Sequence, residues 1–108
     1  MPRYVVLTDH RPDTCPMANR SVRKWAEEML GKRFPELAGE LGVTMVQPPL
    51  HLDPGHQTVA IVEADSVETV SRLVFEGGLA HFNNVQVFPA TPVMELMERV
   101  SDLPTLYD

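Results

Sequence analysis

Hydrophobic spacing changes several times along this chain, and each change marks an element. Tyr4-Val5-Val6-Leu7-Thr8 is a short, β-branched, nearly continuous apolar run, the pattern of a strand covered on both faces. Pro12 and Pro16 then enforce a loop. Val22, Trp25, Ala26, Met29, Leu30, Phe34, Leu37, Ala38 and Leu41 follow at intervals of three and four, the stripe of an amphipathic helix. Pro35 predicts a break in it, with a shorter second piece that stops at Gly42.

The second half repeats the alternation. Val43 to Leu52 reads as a strand interrupted by Pro48-Pro49, and Asp53-Pro54-Gly55 as a turn. Val59-Ala60-Ile61-Val62 forms the centre of a third strand without proline. Asp65 with Glu68 has capping-box spacing ahead of a helix carrying Val67, Val70, Leu73 and Val74, which Gly77-Gly78 ends. Val85 to Phe88 is a fourth strand stopped by Pro89, and Thr91-Pro92 opens a last short helix through Val100. The predicted strands span about 3–9, 43–52, 56–64 and 83–89; the helices span about 17–41, 66–78 and 92–100.

The order βαββαβ, set by those segments, is that of the ferredoxin-like split motif. On element order and length, nearly the whole chain resembles the dimeric α+β barrel superfamily. That resemblance implies an α+β fold with a four-stranded antiparallel sheet in the order 4-1-3-2, two main helices on one face, and a short C-terminal helix. The prolines agree with this order, because Pro48, Pro49 and Pro89 fall on its edge strands, where no ladder donor is missed. Two helices cover only one face of such a sheet. The apolar residues of the third strand on the other face call for a partner, so a sheet-to-sheet homodimer is expected.

Composition narrows the classes. A chain of 108 residues is one domain, here 1–108. Nine Lys and Arg against fifteen Asp and Glu give a formal charge of −6, which disfavours a phosphate backbone as partner. The basic run Arg20, Arg23, Lys24, Lys32 and Arg33 reads as a solvated helix face. A single cysteine excludes an internal disulfide, and no run of about 20 apolar residues suggests a membrane span. A cytoplasmic protein is expected. Gly77-Gly78 follows a helix instead of preceding one, so it makes no phosphate loop, and neither GxSxG nor HExxH occurs.

The candidate chemistry lies at corners. In the expected topology one end of the domain collects the 10–18 loop, the 51–56 hairpin and the 79–84 corner, and with them His10, Cys15, His51, His56 and His81. Cys15 reads as lying at or just before a helix N-terminus, where the macrodipole favours thiolate; the plainer reading is a small packing residue. His51 and His56 flank a tight turn and read as exposed hairpin residues. His10 and His81 are the candidate general bases, with Cys15 beside them as the third candidate catalytic group. No motif requires a cofactor, but a transition-metal site could draw three ligands from His10, Cys15, His51, His56 or His81, with His10, Cys15 and His81 the set taken forward and one coordination position open.

The superfamily resemblance implies a pocket between sheet and helices. Its members include cofactor-free oxygenases, lactone isomerases, haem-degrading enzymes and ligand sensors. Tyr4, Thr8, Asn19, Trp25 and Phe82 are the expected ligand-binding residues here. The haem-degrading branch usually offers an Asn on the first strand and a Trp on the second helix; both are missing, so that activity is not carried over. The expected function is binding of a small organic ligand, with monooxygenase or isomerase chemistry through a His base. The alternative is a non-catalytic ligand sensor or metal-binding accessory module, and a docking role for Met94 and Met97 in the last helix is a third reading.

Overall fold

The structure is a computed structural model and describes residues 1–107. Four strands, β1 (Arg3–Asp9), β2 (Thr44–Leu52), β3 (Gln57–Glu63) and β4 (Asn84–Ala90), form one antiparallel sheet in the order β2-β3-β1-β4. From the opposite edge this reads 4-1-3-2. β1 is central: Val5 lies between Ile61 and Phe88, and Leu7 between Val59 and Gln86. The prolines sit on the edge strands β2 and β4. In β2 the ladder slips between Met45 and Gln47 and again before Leu50, so Val46 and the Pro48-Pro49 pair are absorbed as bulged positions.

The first helical segment is three consecutive pieces. α1 (Arg20–Glu28) passes through a widened π-type turn at Met29–Arg33 into α2 (Phe34–Glu40). Pro35 explains the widening. It has no N–H for the carbonyl one turn back and its ring crowds that carbonyl, and the Phe34 N–H reaches the Met29 carbonyl five residues earlier. The helix starts at Arg20, later than the predicted residue 17, because Asn19 caps it: its Oδ1 accepts from the Val22 N–H at 3.1 Å.

α3 (Val67–Glu76) begins one residue later than the capping-box spacing predicted. Ser66 is the cap, accepting from the Thr69 N–H at 3.3 Å, while Asp65 accepts from the Thr69 hydroxyl at 2.6 Å. α4 (Val93–Val100) follows β4.

The core lies between one sheet face and the helices. Tyr4 and Val6 of β1 and Ala60 and Val62 of β3 meet Phe34, Leu37 and Ala38 of α2 and Val70, Leu73 and Val74 of α3. Two glycines allow the close approach at the end of α3. A Cβ at Gly77 would lie 2.6 Å from the Phe34 ring, and one at Gly78 2.6 Å from Trp25 Nε1; Gly78 also has a φ of +84°.

The opposite sheet face carries Val5, Leu7, Leu50, Val59, Ile61 and Phe88, which are half-buried or exposed. α4 does not cover the end of the sheet: Val93, Met94, Leu96 and Met97 are all exposed. Among the described residues, no helix is long and apolar enough to cross a membrane.

Candidate functional site

Strand register builds the site. β1 and β3 pair as far as Asp9 and Gln57, and the next step brings His10 opposite His56. The His10 N–H donates to the His56 carbonyl at 3.1 Å, which ties the two histidines together beyond the last ladder pair. Their rings stand 5.5 Å apart between centroids.

Cys15 reaches the same point from the loop after β1. A short 3-10 turn over Pro12–Thr14 reverses the chain, with the Cys15 N–H bonded to the Pro12 carbonyl. The Cys15 carbonyl then accepts from the N–H groups of Ala18 and Asn19 as the chain turns toward α1. The thiol is folded inward and is only 3% exposed. Because α1 starts at Arg20, Cys15 lies upstream of the helix and not at its N-terminus, so the helix-dipole argument for it lapses.

One ligand-type atom from each of His10, Cys15 and His56 lies within 4.8 Å of the other two. A tetrahedral ion at ordinary bond lengths holds its ligands roughly 3.3–3.6 Å apart. Side-chain shifts of about 1 Å therefore close this set around an ion.

The nitrogens are available for it. Asn83 Nδ2 donates to the Leu79 carbonyl at 3.0 Å, which turns Asn83 Oδ1 toward His10. His10 Nδ1–H donates to that oxygen at 2.9 Å. The proton of the neutral ring is thereby placed on Nδ1, leaving Nε2 with a lone pair. Among the described residues, His10 Nε2 and His56 Nδ1 are the buried side-chain polar atoms without a hydrogen-bond partner. Leaving such an atom unpaired costs about 1–3 kcal/mol, so two of them on the rings that meet Cys15 require an explanation.

Beside this cluster lies a cavity of about 90 Å³ between sheet and α1, walled by Thr8, His10, Trp25, Leu30, Thr58 and Phe82 among others. Trp25 meets Phe82 edge-on at 4.9 Å, and Phe82 stands 6.0 Å from His10. Thr8 and Thr58 hydroxyls bond each other across the β1–β3 pair.

The expected site residues thus separate into groups. His10 and Cys15 come together with His56 and not with His81, which lies in no such group among the described residues. His81 sits on the turn Leu79–His81, exposed, edge-on to Phe75 at 6.0 Å, and lines an open surface groove with Arg11 and Asn84. Its position one residue before Phe82 points it out as Phe82 points in. Thr8, Trp25 and Phe82 line the cavity, whereas Tyr4 is in the core and Asn19 is committed to capping α1 and to the Asp13 carbonyl. His51 stays on the hairpin, paired with Asp53 at 2.6 Å.

His56 and Asn83 are the residues that the sequence reasoning undervalued. The signal for His56 was present in the register: if the first and third strands pair at the centre of the sheet, residues just past Asp9 and just before Gln57 must meet.

Compared with protein-family models and with curated protein sequences, the chain matches none.

Proposed function

We propose that this domain binds a transition metal ion through His10, Cys15 and His56 and acts as a homodimeric metal-binding module. One observation carries the reading: a ring nitrogen from each of His10 and His56 lies within 4.8 Å of the buried Cys15 sulfur, and each of these rings holds a buried nitrogen without a hydrogen-bond partner. Metal coordination gives all three a partner at once.

The donor set indicates the class of ion. Two imidazoles and a thiolate suit zinc or copper, and no carboxylate belongs to the group, which disfavours magnesium and calcium. Three protein donors leave one position open, the arrangement of reactive rather than purely structural zinc sites. Asn83 plays the outer-shell part, fixing the His10 tautomer as the partners of metal-bound histidines do. A lone thiol kept as a ligand also suits a reducing compartment such as the cytoplasm.

The homodimer is supported by the uncovered sheet face. Val5, Ile61 and Phe88 are neighbours there, and a second copy packed sheet to sheet would bury them.

The adjoining cavity favours a second reading, a cofactor-independent monooxygenase or isomerase. His10 forms part of the cavity wall and, with Nδ1–H donated to Asn83, its Nε2 is the basic nitrogen. A ring shift that brings this buried atom to the cavity surface lets it accept a proton from a bound organic molecule. Elemental analysis of untagged protein distinguishes the two. Stoichiometric zinc or copper that is lost in Cys15→Ser supports the metal centre. Metal-free protein that stays so after incubation with either ion rejects it and leaves the His10 base.

A further inference from the structure

The geometry points to an occupant for the cavity beside the centre: a small, uncharged, largely apolar molecule whose single donor atom completes the coordination of the metal. This rests on the metal centre proposed above. The cluster and the cavity share a wall, since His10 itself and Pro16, the residue after Cys15, both line it.

Chemistry sets the class. Among the described residues, no Asp, Glu, Lys or Arg lines the cavity. Several of its polar groups are already engaged: the Thr8 and Thr58 hydroxyls bond each other, and Asn83 is bonded at both ends of its amide. A carboxylate or a phosphate would find no cationic side chain on this wall to offset its lost hydration. An apolar body packs against Trp25, Leu30 and Phe82, and the metal offers a strong site for a donor atom.

Size sets the limit. The cavity holds about 90 Å³, against roughly 150 Å³ for an engineered cavity that takes up benzene. A short aliphatic thiol or alcohol, or a five-membered ring, is the scale that fits.

The test uses the full chain loaded with cobalt(II), whose bond to Cys15 produces a thiolate-to-metal absorption band. 1-Propanethiol and 2-mercaptoethanol are then titrated in. They share length and donor atom and differ in a terminal methyl against a hydroxyl. The expected result is a saturable increase in thiolate–cobalt absorption, with 1-propanethiol binding at least about tenfold more tightly. Ala26→Leu, which fills the cavity from α1, should weaken 1-propanethiol about tenfold while the Cys15–cobalt band persists.

Equal affinities for the two thiols, or unchanged 1-propanethiol binding in folded Ala26→Leu, would overturn the proposal. If Ala26→Leu does not fold, the preference between thiols in the native chain decides. Absence of the Cys15–cobalt band before any thiol is added would instead refute the metal centre itself, and this inference with it.

Discussion

Asn83 determines which nitrogen of His10 is free. Its amide is anchored to the Leu79 carbonyl at 3.0 Å, and its Oδ1 receives the His10 Nδ1 proton at 2.9 Å. A corner residue on the way into β4 thus sets the tautomer of a residue at the end of β1. Replacing Asn83 by Leu keeps the branched shape and removes the acceptor. Metal affinity, read by competition with a chromophoric chelator, is expected to fall about 10–100-fold. Asn83→Asp keeps an acceptor and should retain binding. Equal loss in both variants would show that Asn83 does not act through the His10 proton.

The ion must displace the Cys15 proton to bond sulfur, so metal and protons compete. Lowering the pH should weaken binding, by about tenfold per pH unit for each proton released in the range where the free ligands are protonated. Cys15→Ser should show a shallower slope as well as weaker binding. A pH-independent affinity would exclude a thiolate ligand.

The two glycines after α3 mark how tightly Trp25 and Phe34 are seated. Gly78→Ala introduces both a strained left-handed backbone and a Cβ 2.6 Å from Trp25 Nε1. The expected loss is about 1–3 kcal/mol in denaturant unfolding, with a change in Trp25 fluorescence. Gly39→Ala is the contrasting case. It lies within α2 with nothing inside 4 Å of its Cβ position, and should stabilise by about 0.5–1 kcal/mol.

Much of this architecture was legible in the residues, and the departures have identifiable causes. Helical and strand periodicities reported the element order because each buried face repeats over many positions. Pro48-Pro49 and Pro89 reported the sheet edges because a missing donor is tolerated only there. Single-residue decisions were harder. Ser66 rather than Asp65 caps α3, a choice between neighbouring residues that both have capping oxygens. Cys15 and His10 were recognisable as corner residues, but which histidine joins them was not. A hairpin histidine and a helix-exit histidine look alike in sequence. What separates His56 from His81 is the β1–β3 register on one side, and on the other the exposed turn that directs His81 outward. Asn83 carries no motif at all; its role exists only once Leu79 and His10 are in place.

Phe88 is 47% exposed on the sheet face away from the helices, across the ladder from Val5. If that face is the dimer interface, Phe88→Glu places like charges at the two-fold contact. Sedimentation analysis should show wild-type dimer and variant monomer, with the far-UV circular dichroism of the fold unchanged. A wild-type monomer would contradict the assembly.

Zinc titration against a chromophoric chelator, run in parallel on the native chain and on His10→Ala, Cys15→Ala, His56→Ala and His81→Ala, tests the central claim most directly. The account predicts one ion per chain in the native protein, loss of that binding in the His10, Cys15 and His56 variants, and native affinity in His81→Ala. Failure of the native chain to take up zinc or, in the same assay, copper would contradict it, as would a loss in His81→Ala equal to that in His56→Ala.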